Sequence, residues 1–167
     1  MRHLEPLMSA TAGPVRCLLV DDSATYLAAA EALLSTSGIE VVGAVRTTGA
    51  AVRAAIEERP DIVVLALEVA QDNGFQLVHH LAAMASAPVV LLVTARDPDS
   101  YTARLAELPV AGCLAKERLS IHAVHTALRA RSDSRPRDDG RAGQQGGATS
   151  DRAGHDEPAS QRIHPVA

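Results

Sequence analysis

Aromatic rings are scarce in this chain, which has no Trp, two Tyr and one Phe among its 167 residues. A core of stacked rings is excluded, so the interior must be built from Ala, Val, Leu and Ile. That composition favours a Val- and Leu-rich parallel sheet covered by Ala-rich helices. Cysteine is nearly absent too: Cys17 and Cys113 both lie inside apolar, strand-like runs, which suits small core thiols in a reducing cytoplasm better than a disulfide framework. No stretch approaches the roughly 18 apolar residues of a membrane span, and the first 14 residues hold no secretory apolar run. A basic excess is missing as well. The net charge is −4; residues 1–130 carry 10 Lys/Arg against 14 Asp/Glu, and residues 131–167 carry 6 of each. Direct nucleic-acid binding is disfavoured, because a phosphate-backbone binder shows the opposite bias.

What the chain does have is order in the placement of its apolar residues. Residues 1–14 lack a period and end in Gly13-Pro14, so they read as a flexible leader. From Val15 onward, short apolar runs alternate five times with Ala-rich helical stretches. The strands are expected at Cys17–Val20, Ile39–Val45, Ile62–Leu67, Val89–Val93 and Val110–Ala115. Ser23 is placed to cap the first helix and Gly38 to end it, while the second helix spans Thr48–Arg59 with Val52 and Ile56 four apart. A third helix carries Leu77, Leu81 and Met84. Asp97-Pro98 opens a fourth with Tyr101, Leu105 and Leu108, and Ser120 caps a fifth with Ile121, Val124 and Leu128 on its inner face. Residues 132–167 contain no Leu, Phe, Tyr or Met. Such a segment cannot bury enough apolar surface to offset its ordering entropy and is expected to be a disordered tail.

Five βα repeats with right-handed crossovers point to a wound α/β sheet whose site lies at the carboxyl ends of the strands. Asp21, Asp22, Ala66, Thr94 and Lys116 all fall there. Four of the five are polar.

The segments LLVDDS (18–23), RPDIVVLAL (59–67), NGF (73–75), VTARDPDSY (93–101) and AGCLAKE (111–117), with their spacing, resemble the receiver domain of bacterial two-component response regulators, especially those with a helix-turn-helix output. The resemblance covers Val15 to about Ala130, giving a receiver-like domain at 15–131. It implies a flavodoxin-like fold, a five-stranded parallel sheet of order 2-1-3-4-5 with helices on both faces. In an active receiver, two acids at the end of the first strand bind Mg2+, an aspartate ending the third accepts a phosphoryl group, and a hydroxyl and a lysine stabilise the added charge. By resemblance Asp21 and Asp22 match the acids, Thr94 the hydroxyl and Lys116 the lysine. The acceptor position is Ala66. A methyl group can neither attack phosphorus nor ligate a metal. The aromatic switch position is Cys113, the proline usual after the third strand is Ala70, and the one often found after the lysine is Glu117.

The expectation is therefore a non-enzymatic, phosphorylation-independent receiver that binds a protein partner: a sensor kinase, a regulator or an output protein. No cofactor is required, and Asp21 and Asp22 would hold Mg2+ weakly at best. The partner surface is expected to include Tyr101, Arg104, Glu107, His122 and His125, with homodimerisation left open. A receiver-fold regulator that binds a small ligand in the vacated acidic pocket is the alternative. Two other carboxylates lie near enough in sequence to be compared with the acceptor position. Asp61 begins the third strand, roughly 16 Å away at about 3.3 Å per residue, and Glu68 lies in the loop beyond the strand end. A histidine metal site is rejected, since His79 and His80 face different ways and His122 with His125 offer only two ligands.

Overall fold

Unbroken apolar runs become the centre of the sheet. The computed structural model describes residues 13–71 and 73–134. Its elements are β1 (Val15–Val20), α1 (Ala24–Ser35), β2 (Ile39–Val45), α2 (Thr48–Glu58), β3 (Ile62–Ala66), α3 (Gly74–Ala82) and β4 (Val89–Thr94). A 3-10 turn at Pro98–Tyr101 then leads into the single-turn α4 (Thr102–Leu105), followed by β5 (Gly112–Ala115), a second 3-10 turn at Lys116–Arg118 and α5 (Ile121–Ser134). The five strands are all parallel and ordered β2-β1-β3-β4-β5, as expected of the flavodoxin-like arrangement. Every residue of β3 and β4 is buried, because helices cover both faces of a parallel sheet.

Alternation along the strands divides the core in two. Cys17, Leu19, Val64, Ala66 and Val93 pack against Leu27, Ala30 and Leu34 of α1 and Val124 and Ala127 of α5. On the other face, Leu18, Val20, Leu65 and Leu92 meet Ala51 and Ala55 of α2 and Leu77, Val78 and Leu81 of α3. Alanines on α2 let that helix lie close to the sheet. The inner edge of α2 is thus not the Val52–Ile56 pair that marked its period; Val52 is half-buried and Ile56 is 62% exposed.

Capping explains where the helices begin and where they depart from expectation. Ser23 accepts from Tyr26 N at 3.3 Å and Ser120 from Ala123 N at 3.0 Å, so both expected caps hold. α1 ends at Ser35 rather than at Gly38. Thr36 Oγ1 donates to Leu33 O at 2.8 Å and Ser37 Oγ to Leu34 O at 3.4 Å, satisfying the last carbonyls early. Gly38, at φ 78, then turns the chain into β2. Arg59, at φ 46, is itself the left-handed cap of α2 rather than its last helical residue. The fourth helix is shorter than its Tyr101-Leu105-Leu108 spacing suggests. Asp97 accepts from Asp99 N at 3.0 Å and Thr102 donates to Asp99 O at 2.9 Å, holding the first turn in 3-10 geometry. β3 stops at Ala66 and β5 starts at Gly112, each trimmed at an end where the ladder gives way to loop. α5 runs to Ser134, past the expected boundary at 131. The leader up to residue 12 and the tail from residue 135 lie outside the described residues.

Candidate functional site

The carboxyl ends of β1, β3, β4 and β5 converge, and they bring the sequence-derived residues together. Asp21 follows β1 and is 1% exposed. Its Oδ1 accepts from Ser23 N at 3.0 Å, and its Oδ2 lies 2.5 Å from Lys116 Nζ. That contact is an ion pair without an aligned hydrogen bond. Lys116 is the only lysine in the chain. Its ammonium also sits 4.8 Å from the centre of the Tyr26 ring, whose hydroxyl donates to Lys116 O at 3.2 Å. Asp22, by contrast, is exposed, and only its backbone carbonyl is engaged, accepting from Arg46 Nε at 3.0 Å.

At the acceptor position Ala66 is fully buried and packs into the α1–α5 face of the core. Beyond it the chain turns back on itself: Leu67 N donates to Val93 O at 3.0 Å and Val69 N to Ala66 O at 3.2 Å. Val69 is buried and anchors the loop, and Asn73 N donates to its carbonyl at 3.1 Å. Ala70 and Gln71 follow at φ 49 and 60, two consecutive non-glycine residues in the left-handed region. Such residues carry strain that the surrounding structure must hold in place. Gly74 completes the fold-back; a Cβ there would lie 2.8 Å from Leu67 O.

This loop delivers the residue whose part sequence reasoning underrated. Glu68 Oε1 accepts a hydrogen bond from Thr94 Oγ1 and a second, at 3.1 Å, from Ala95 N. Thr94 is fully buried and its hydroxyl oxygen accepts in turn from Arg96 N at 3.0 Å. Glu68 Oε2 is buried and has no hydrogen-bond partner among the described residues. Oε1 is thus engaged by two donors and Oε2 is shielded from solvent. Asp61 lies at the opposite end of the sheet, where its Oδ2 accepts from Arg16 N at 2.8 Å.

The residues do not fit a Mg2+ site. A hard cation needs several oxygen ligands at one point. Asp21 has both oxygens engaged, Ala66 supplies none, and among the described residues no three His, Cys, Asp or Glu side chains are grouped to hold a metal.

Cys113 is half-buried, packed against the same face as Tyr101, Phe75 and Leu105. Burial, with the Glu68 carboxylate second, pushes its thiol up to about 11, and burial pushes Cys17 up to about 12. A thiol held protonated is a poor nucleophile. Alkylation of the native protein by iodoacetamide at neutral pH should therefore be far slower than that of the urea-unfolded chain, as mass spectrometry can follow. The raised values also fix a pH trend. The neutral thiols contribute stability that is fully present below the ordinary thiol value of 9.0 and is lost as pH climbs through about 11.

Two of the residues assigned to a partner surface, half-buried Tyr101 and exposed Arg104, also make contacts within the chain. The Tyr101 ring lies 6.1 Å from that of Phe75 and its hydroxyl accepts from Arg96 Nη1 at 3.3 Å, while the Arg104 guanidinium stacks 3.8 Å from the Phe75 ring centre. Glu107 and His122 are exposed and His125 is half-buried.

Comparison with known proteins agrees with this geometry. Residues 17–129 match the model of the family described as the response regulator receiver domain. The chain is 34% identical over 86 residues to a protein-glutamate methylesterase/protein-glutamine glutaminase of Haloarcula marismortui, covering 52% of this chain and 23% of that protein. It is 24% identical over 103 residues to the DNA-binding transcriptional activator EvgA of Escherichia coli K12, covering 62% of this chain and 50% of that one. The match therefore spans half or less of each relative's length. Among solved structures, the signal receiver domain of the response regulator NarL from Mycobacterium tuberculosis superposes with a TM-score of 0.60 at 23% identity, covering 73% of this chain and 96% of that one. A five-stranded parallel sheet in this order, with an acid–lysine pair and a threonine at its carboxyl edge and a family match spanning that sheet, places the chain in the response regulator receiver family of two-component signalling.

Proposed function

We propose that this receiver acts without phosphorylation, as a non-enzymatic protein-binding module whose surface is held in one state. The observation that carries the reading is the buried methyl group of Ala66 where β3 reaches the site, beside Thr94 and the Asp21–Lys116 pair. A phosphoryl acceptor must present a nucleophilic oxygen. The nearest carboxylates are committed elsewhere, Asp21 to Lys116 and Glu68 to Thr94 and Ala95. The alternative, a small ligand in the acidic pocket, finds less support because Lys116 is already paired with Asp21 and the Thr94 hydroxyl with Glu68. No metal is required in this reading, and any Mg2+ at Asp21 and Asp22 would be weakly held. No helix among the described residues is long and apolar enough to cross a membrane, and the reading places the protein in the cytoplasm with a kinase, regulator or output protein as partner.

Incubation of the full chain with acetyl phosphate and Mg2+ should leave its intact mass unchanged. A gain of one phosphoryl group, mapped to Glu68 or Asp22, would overturn the reading. Charge reversal at Glu107 and substitution of His122 should weaken capture of the partner while leaving the fold intact. These positions test the surface more cleanly than Arg104 or Tyr101, which also hold Phe75.

A further inference from the structure

The geometry points to Glu68 as a tethered anion. We propose that its carboxylate permanently occupies an anion-binding corner made by the Thr94 hydroxyl and the Ala95 amide, and so fixes the β3–α3 and β4–α4 loops in one arrangement. Two donors aimed at one oxygen form the kind of corner that holds anions in general. Here the anion is covalently part of the chain, so its effective concentration does not depend on any solute.

Three independent features converge on this contact. The first is the donor inventory: Thr94 Oγ1 and Ala95 N both point to Glu68 Oε1, and Arg96 N, by donating to Thr94 Oγ1, orients the hydroxyl so that its proton faces the carboxylate. The second is the backbone that brings Glu68 there. The loop after it bends through left-handed Ala70 and Gln71, with Val69 buried and Gly74 tight against Leu67. The third is the seclusion of the second oxygen, which is buried with no hydrogen-bond partner among the described residues. The charge is felt across the site, since it contributes to the upward shift of the Cys113 thiol on β5.

This inference deepens the phosphorylation-independent reading and rests on it, because a corner already filled needs no added group. Inorganic phosphate and amide exchange, followed by NMR on the 15N-labelled full chain, test it. In the native protein the Ala95 amide should exchange slowly and show no shift on adding phosphate. In Glu68→Ala the same amide should exchange about tenfold faster or more, since a charge-assisted bond is lost, and phosphate should now shift it. Glu68→Gln, which keeps an acceptor oxygen, should restore slow exchange. Glu68→Asp withdraws the carboxylate by one methylene and should behave as the alanine variant does; it serves in its place if the alanine variant does not fold. Unchanged exchange at Ala95 in these variants, or phosphate shifts of equal size in the native chain and Glu68→Ala, overturns the tether. A failure of Glu68→Ala to respond to phosphate overturns the anion corner. A phosphoryl gain by the native chain overturns instead the reading on which it rests, so the two failures are distinct.

Discussion

Lys116→Ala should destabilise the fold by about 3 kcal/mol, because it leaves the Asp21 carboxylate buried without its cation. Asp21 is 1% exposed and its Oδ2 sits 2.5 Å from the ammonium, so water cannot easily replace the lost partner. The reverse truncation, Asp21→Asn, should cost less. The Lys116 side chain is 18% exposed, and its flexible stem can carry the ammonium toward solvent. The double variant Asp21→Asn/Lys116→Ala should recover most of the loss, since removing both charges removes the penalty of orphaning one. Urea denaturation of the four proteins closes the cycle. A loss for the double variant equal to the sum of the two single losses would show that the ion pair contributes nothing and that the lysine matters only through packing.

The second large effect is expected at Gly74. An added Cβ would approach Leu67 O to 2.8 Å, Leu67 Cα to 2.9 Å and Ala66 O to 3.1 Å. These are backbone atoms of the chain leaving β3, so relief requires the whole loop to move rather than one side chain to rotate. Gly74→Ala should lose about 2–3 kcal/mol. It should also loosen the loop that carries Glu68, visible as faster amide exchange at Val69 and Ala95. A loss below about 0.5 kcal/mol, the range of an ordinary surface change, would mean that the fold-back is softer than its contacts imply.

The strands were legible because β3 and β4 are unbroken apolar runs, which only a doubly covered sheet requires. The helix starts at Ser23 and Ser120 were legible for a local reason, the side-chain oxygen that bonds a backbone amide three residues on. Helix ends were less so. Gly38 does take the left-handed turn, but Thr36 and Ser37 bond the last carbonyls of α1 first, and no pattern of apolar residues records that competition. The α2 face was hidden because Ala51 and Ala55 carry the packing while the larger Val52 and Ile56 dominate the eye.

The site divides along the same line. Asp21, Thr94 and Lys116 could be placed from the strand ends, since a residue at the end of a strand has its position set by the ladder. Glu68 could not. Its position depends on two left-handed residues and a glycine fitted against Leu67, a course that residue types alone do not dictate. One signal was available: an acid two residues beyond an alanine that ends a buried strand, followed within six residues of Glu68 by Gly74.

Ala70 shows what that course means for substitution within the loop. The resemblance leads one to expect proline at this place, and a missing proline looks like a loss that one substitution could reverse. The backbone says otherwise. Ala70 sits at φ 49, whereas the proline ring holds φ near −65°. A proline introduced there would have to undo the fold-back through Val69 and Gly74 before it could be accommodated. Such a substitution would have to be accompanied by a rebuilt loop from 68 to 74, and made alone it should be strongly destabilising.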